Sequence, residues 1–119
     1  MKGHAFTDAQ TTEYEKRVRE AWLKTGFPCL EAEAVAVIIN AYFSVPASWS
    51  KKKRAAAFDT PYLHKPDCDN IAKIILDSLN GGLGYADDRQ VNCLLVNKKY
   101  VASDEDLPRV EVTIIGETQ

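Results

Sequence analysis

The chain has 119 residues, of which 45% are hydrophobic and 27% charged, a composition typical of one soluble globular domain with a single modest core. No apolar run approaches the roughly 20 residues of a membrane-spanning helix, and the N-terminus lacks a signal-peptide core, so we expect a cytoplasmic protein without a membrane partner. Three cysteines in no C-x-x-C spacing indicate reduced thiols rather than a zinc or disulfide framework. The net charge of −2 neither indicates nor excludes DNA, because a bound cation inverts the sign of an acidic patch.

The first half of the sequence predicts a helix, a long strand and a short basic helix. Thr12 and Glu15 fit a capping box at the start of the first helix, and Gly26 ends it. An apolar stripe at helical spacing follows the cap and consists of Tyr14, Val18, Ala21 and Trp22. Residues 32–45 are rich in β-branched and aromatic side chains, which indicates a largely buried strand. Residues 51–58 form the short basic helix, capped by the preceding serines.

The basic helix opens on four consecutive cations, Lys51 to Arg54, beside Trp49. Like charges repel one another, and a phosphate backbone would neutralise them while Trp49 packs on a sugar or a base. A solvated basic turn with Trp49 in the core explains the same pattern. The sequence leaves both interpretations open.

The second half of the sequence predicts a central helix and two strands. The helix runs from about Asp69 to Leu79 and ends at Gly81. Its apolar stripe consists of Ile71, Ile74, Ile75 and Leu79. Residues 90–101 and 109–115 alternate as strands around a polar turn, which predicts a C-terminal β-hairpin. Together these elements predict a small single domain of the α/β (α+β) class, with two to three helices and a mixed sheet.

Four aspartates flank the central helix, namely Asp67, Asp69, Asp87 and Asp88. Residues two apart in the extended segment before a helix project to the same side, so Asp67 and Asp69 should lie together. The helix dipole offsets at most about 1 kcal/mol of their repulsion, too little to hold Asp88 with them. A divalent cation with oxygen ligands would do so, which indicates phosphoryl-transfer chemistry. Adjacent residues in an extended chain point in opposite directions, so we expect only one of Asp87 and Asp88 to face the site.

Lys73 and Asp77 continue the helix face that begins at Asp69, at successive spacings of four residues. A surface ladder of ion pairs explains this spacing, and for Asp77 we prefer that interpretation or a role in orienting Lys73. For Lys73 we prefer a catalytic role, because a lysine beside metal-bound carboxylates can reach a scissile phosphate.

In order and spacing, these residues resemble the RusA family of Holliday-junction resolvases, which is common in phages and prophages. The resemblance covers about residues 40–116 and rests on three motifs, Lys65-Pro66-Asp67-Cys68-Asp69-Asn70-Ile71-Ala72-Lys73, Leu76-Asp77-Ser78-Leu79-Asn80-Gly81 and Asp87-Asp88-Arg89-Gln90-Val91. It implies a small RusA-like fold, a homodimer, and Mg²⁺-dependent endonuclease action on branched DNA in recombination and repair, with Mn²⁺ as a substitute. The family's essential aspartates fall on Asp67, Asp69 and Asp88, and its catalytic lysine falls on Lys73.

The mechanism that this resemblance implies is symmetric phosphodiester hydrolysis of a four-way junction. Asp67, Asp69 and Asp88 would hold Mg²⁺, and Lys73 would donate to a phosphate oxygen. Junction recognition would follow backbone shape. Candidate phosphate contacts are Lys51, Lys52, Lys53, Arg54, Lys65, Lys98 and Lys99. Two alternatives stay open: a catalytically weak junction-binding protein with this fold, and a flap or fork nuclease with this metal site.

A response-regulator receiver also has an aspartate pair and a lysine, but there the pair ends the first strand. Here the pair at 87–88 follows the Asp67-x-Asp69 motif, so the order fails. The N-terminus departs from the RusA family pattern, since members begin with a strand and a loop ahead of the region that matches residues 3–7. We therefore expect one domain over residues 1–119 that lacks this edge strand or has a short start site.

Overall fold

The computed structural model describes residues 8–117 of the chain. Within this range there are three α-helices and three β-strands. They are α1 (Asp8–Thr25), β1 (Ala34–Phe43), α2 (Lys51–Ala57), α3 (Cys68–Leu79), β2 (Val91–Tyr100) and β3 (Arg109–Glu117), with a short 3-10 helix (Asp88–Gln90) before β2. None of the helices in this part of the chain is long and apolar enough to cross a membrane.

β1 is the central strand of a mixed sheet with the order β2–β1–β3. β2 runs parallel to β1, from Val35 beside Val91 to Phe43 beside Tyr100, and β3 runs antiparallel on the other edge. Alternate residues of β1 are fully buried, namely Val35, Val37, Ile39 and Ala41. This alternation places one face of the sheet in the core.

The predicted C-terminal hairpin is wrong, because β2 and β3 lie on opposite edges of β1. A hairpin would leave the apolar β1 at an edge with unpaired backbone groups, whereas the central position pairs both of its edges. The connection over residues 101–108 can span roughly 26 Å when extended, and crossing two strand spacings needs only about 10 Å. A polar turn between two alternating segments therefore does not distinguish a hairpin from two strands that flank a third.

α1 is already helical at Asp8, so the predicted capping box at Thr12 and Glu15 is wrong. No glycine or proline separates Asp8 from Thr12, and nothing in that segment stops the helix. The predicted end is confirmed: Gly26 has a φ of 71°, a left-handed conformation that favours glycine. Of the predicted stripe, Tyr14, Val18 and Trp22 pack against the core, whereas Ala21 is exposed.

α3 covers the buried face of β1, and α1 packs on α3. All four residues of the predicted α3 stripe are buried. The Sγ atom of Cys68 lies 3.9 Å from the Val96 carbonyl oxygen, while the last turn of α3 contacts Tyr85, ahead of β2. α3 therefore runs antiparallel to β2. The result is a small α+β fold with three helices and a mixed sheet, as predicted, and the expected departure at residues 3–7 lies outside the described residues.

Candidate active site

The N-terminal end of α3 carries Asp67 and Asp69. Asp67 is the N-cap residue, with extended backbone angles, but its side chain makes no capping hydrogen bond. Its carboxylate instead lies 2.5 Å from Nζ of Lys65. Asp69 is exposed and lies in the first turn of α3, so the extended-backbone argument for placing it on the same side as Asp67 does not apply. Both carboxylates thus lie at the positive end of the helix dipole, which favours anions, and neither is buried.

Hydrogen bonds join the segment before α3 to the end of β2. Nζ of Lys98 donates to the carbonyl oxygens of His64, at 2.7 Å, and of Pro66, at 2.9 Å. The backbone N–H of Tyr62 donates to the Lys98 carbonyl at 3.0 Å, and that of Tyr100 donates to the Thr60 carbonyl at 2.9 Å. These bonds fix the approach of the chain to Asp67 from outside the helix.

Lys73 follows Asp69 by one helical turn, and Asp77 follows Lys73 by another, with Cβ atoms about 5–6 Å apart at each step. All three side chains are exposed. Among the ion pairs of residues 8–117 none includes Lys73 or Asp77, so the ladder of ion pairs is not formed there. The Lys73 ammonium group is therefore available to an incoming anion.

Asp88 lies against the C-terminal half of α3. Its Oδ1 atom is 3.0 Å from the hydroxyl of Tyr85, and the same hydroxyl is 2.9 Å from the carbonyl oxygen of Leu76. Burial raises the pKa of the Tyr85 phenol far above its ordinary value, and the charges of Asp88 and Asp77 raise that pKa further. Tyr85 therefore stays a neutral hydrogen-bond donor beside two carboxylates.

The Asp87 carboxylate has a different hydrogen-bond partner from that of Asp88. It is the N-cap of the 3-10 helix, and its Oδ1 atom accepts from the backbone N–H of Arg89 at 2.9 Å. The two adjacent aspartates thus engage different partners: Asp87 binds its own turn, whereas Asp88 meets the hydroxyl that borders α3.

The acidic residues form two groups along one helix edge, with Lys73 between them. Leu76 and Asp88 both contact the Tyr85 hydroxyl. Leu76 lies about 10 Å along the helix axis from Asp69. In the described part of the chain no three His, Cys, Asp or Glu side chains come close enough to hold one cation. The donor chemistry still fits a hard divalent ion, because Asp67, Asp69 and Asp88 all offer carboxylate oxygens and none is buried.

A model of the endodeoxyribonuclease RusA family matches residues 1–115 of the chain. The chain belongs to this family. No curated protein matches it. The match contains all three motifs on which the resemblance rests, and it extends over residues ahead of the region where we noted that resemblance. The acidic edge of α3 remains the candidate active site of this RusA-family chain.

Most of the predicted phosphate contacts of this RusA-family chain have internal partners. Arg54 donates to the carbonyl oxygens of Val45, at 3.0 Å, and Pro46, at 2.6 Å, and pairs with Asp104. Lys99 pairs with Asp59 at 2.8 Å.

Three of the predicted contacts, Lys51, Lys52 and Lys53, lie at the start of α2. There the Ser50 side chain accepts from the Lys53 backbone N–H. Nζ of Lys53 lies 4.0 Å from the centre of the Trp49 ring, a cation–π contact. Within the described residues Lys51 and Lys52 have neither an ion pair nor a ring contact, and both are exposed. They are the best-placed phosphate contacts of the predicted set.

Sequence reasoning missed Tyr85 and Gln90, which hold the turn around Asp88. Gln90 occupies the third position after the N-cap Asp87, so the 3-10 helix starts with a capping box. The Asp-x-x-Gln spacing was a readable signal for this box. Tyr85 offered no such signal, because the contact of its hydroxyl with Leu76 depends on how the turn packs against α3.

Proposed function

We propose that this RusA-family chain is a divalent-cation-dependent endonuclease that resolves Holliday junctions and related branched DNA by symmetric phosphodiester hydrolysis, in recombination and repair. The observation that carries the proposal is the start of α3, where Asp67 is the N-cap residue and Asp69 precedes an unpaired Lys73 by one turn. Carboxylates that bind a cation and an adjacent lysine are what phosphodiester hydrolysis needs.

The residues that would hold the cation are Asp67, Asp69 and Asp88, with Mg²⁺ as the ion and Mn²⁺ as a substitute. When bound, the cation supplies an activated water and neutralises charge on the phosphate. Lys73 donates to a non-bridging or leaving oxygen of the phosphate. Lys65, which now pairs with Asp67, lies close enough to take part in phosphate binding.

The separation of Asp88 from Asp69 favours a homodimer in which each site takes Asp88 from the second subunit. A single cation needs ligand oxygens within a few ångströms of one another, at Mg–O distances of about 2.1 Å. In one copy, Leu76, which shares the Tyr85 hydroxyl with Asp88, lies about 10 Å along the axis of α3 from Asp69. β2 offers a contact surface for the second copy, because it is an edge strand whose Leu94 and Leu95 are 44% and 49% exposed. Two sites per dimer would cut symmetrically.

The DNA path that we propose runs from α2 to the start of α3. Trp49 contacts Tyr100, Tyr100 contacts Tyr62, and Tyr62 contacts His64, at ring-centre distances of 6.0, 5.1 and 5.4 Å. This chain of rings places the basic helix and the candidate site at the same end of the sheet. A DNA backbone that reaches Asp67 can therefore also meet the lysines of α2.

The decisive experiment compares cleavage of a synthetic four-way junction with cleavage of the matched linear duplex, with and without Mg²⁺. We expect Mg²⁺-dependent cutting of the junction, and a fall of more than about 100-fold for Asp69→Asn. Glu105→Gln is the matched control, since Glu105 is an exposed carboxylate in the turn before β3. Full junction cleavage by Asp69→Asn would contradict the assignment.

The second candidate function is a junction-binding protein with weak catalysis. The position of Asp88 beside Leu76 favours it, because the three ligands do not converge in one copy. Junction binding in a metal-free gel shift, without cutting in Mg²⁺, would establish this alternative. Preferential cutting of flaps or forks would instead indicate the same chemistry on another branched substrate.

A further inference from the structure

The side chain of Tyr85 joins the core to the candidate site. The residue is fully buried and packs in the same cluster as Ile75 and Leu79 of α3. Its hydroxyl is the one polar group of the side chain, and burial makes a hydrogen-bond partner necessary. That hydroxyl lies between the Leu76 carbonyl oxygen and the Asp88 carboxylate, at 2.9 and 3.0 Å.

A phenol has one proton, so only one of these two acceptors receives it at a time. The Leu76 carbonyl has another donor, because the backbone N–H of Asn80 reaches it at 3.0 Å at the end of α3. Asp88 carries charge, and hydrogen bonds to charged acceptors are the stronger ones. The proton of Tyr85 is therefore directed to Asp88.

Gln90 fixes the backbone that leads into Asp88. Its Oε1 atom accepts from the N–H groups of Ala86, at 2.9 Å, and Asp87, at 2.8 Å. Its Nε2 atom donates to the carbonyl oxygens of Leu30, at 3.0 Å, and Glu33, at 3.1 Å. Every donor and acceptor site of the amide is used, which ties the turn to the entrance of β1.

We propose that Tyr85 is a positioning residue for Asp88, whose carboxylate it holds in one orientation through the phenol hydroxyl, on a turn that Gln90 fixes. This inference rests on the proposed function, in which Asp88 is a cation ligand. Partners that orient a ligand are typically responsible for 10–100-fold in metal affinity or activity. Tyr85 belongs to the same subunit as the Asp88 that it orients, whichever subunit supplies the other ligands.

The test is Tyr85→Phe, which keeps the buried ring and removes only the hydroxyl. Mn²⁺ affinity is measured from the electron paramagnetic resonance signal of the free ion, and cleavage of the four-way junction is measured beside it. We expect about a 10-fold loss of Mn²⁺ affinity and a comparable loss of cleavage at limiting Mn²⁺. Tyr42→Phe, on β1, is the matched control and should bind and cut like the wild type.

A double-mutant cycle separates positioning from general stability. If Tyr85 acts through Asp88, Tyr85→Phe lowers Mn²⁺ affinity in the wild-type background and has no further effect in the Asp88→Ala background. An equal effect in both backgrounds overturns the inference.

The proposed function and this inference fail in different ways. A wild type that cuts junctions, with a Tyr85→Phe variant that binds Mn²⁺ and cuts equally well, refutes the inference alone. A wild type that neither binds Mn²⁺ nor cuts overturns the proposed function, and the inference with it.

Discussion

Replacing Gln90 by leucine should destabilise the fold measurably, although the residue is only half-buried. Leucine matches the volume but makes none of the four hydrogen bonds of the amide. Two of the four backbone groups that bind the Gln90 amide keep a hydrogen-bond partner without it. These are the N–H of Ala86 and the carbonyl of Leu30, because the first donates to the second at 3.1 Å. The N–H of Asp87 and the carbonyl of Glu33 lose the bonds that Gln90 gives them.

The expected cost follows from these two bonds. At a net value of about 1 kcal/mol each, their loss lowers the free energy of unfolding by about 2 kcal/mol. For a chain of 119 residues, each kcal/mol corresponds to roughly 4 °C in Tm, so we expect a fall of about 8 °C. Had all four partners been left without a replacement, the same reasoning would give about twice that value.

Thermal unfolding followed by circular dichroism measures this change, with urea unfolding as a second probe of the free energy. Asn92→Leu is the control, because it introduces the same side chain at an exposed position of β2, two residues away. A Tm for Gln90→Leu within about 2 °C of the wild type would refute the reasoning. A fall of 15 °C or more would mean that the turn unfolds as a unit and that Gln90 supports more than its own bonds.

Three further predictions concern DNA, pH and subunit sharing. Lys52→Ala should weaken junction binding and reduce the slope of log K against log salt by about one, whereas Lys16→Ala on α1 should not, in gel shifts over a salt series. The Ala102 N–H and Arg109 hold the pKa of Asp106 below its ordinary value. The stability that Asp106 contributes is therefore present at neutral pH and is lost below about pH 4. In acid unfolding, the Asp106→Asn variant should lose less stability than the wild type over this pH range. Mixing inactive Asp69→Asn and Asp88→Asn subunits should restore junction cleavage if sites are shared between subunits, and a mixture that stays inactive would place both aspartates in one subunit.

Local patterns predicted the elements of this fold well and their pairing poorly. The alternation and β-branched content of β1, the isoleucine stripe of α3 and the serine cap of α2 act within one segment, so the sequence displays them directly. The order of the strands depends on which strand needs both of its edges paired, and that is a property of the whole sheet. The start of α1 was missed for a smaller reason, since a capping box inside a good helix does not interrupt it.

The candidate site shows the same division. Residue types and helical spacing indicated Asp67, Asp69 and Lys73, and the structure places them along one edge of α3. Asp88 could not be placed in this way, because its position depends on a contact between the turn before β2 and the third turn of α3. For a similar reason, the sequence could not distinguish cations that bind DNA from cations that bind groups within the chain. A charged side chain near the end of a strand can bind a carbonyl group as readily as DNA, and Lys98 binds two carbonyl groups.

The ion pair between Lys65 and Asp67 is a weak contact at the start of α3. Both side chains are about half exposed, at 48% and 50%, and pairs of this exposure contribute at most about 1 kcal/mol because water and salt screen them. The Lys65 ammonium group offsets the charge of Asp67 and so eases the repulsion between Asp67 and Asp69. Because the ion pair is weak, breaking it costs little free energy. A divalent cation attracts these two carboxylates more strongly than one lysine does, since it carries twice the charge. If Asp67 binds a cation as proposed, Lys65 loses this partner and can turn to the DNA backbone as a phosphate contact.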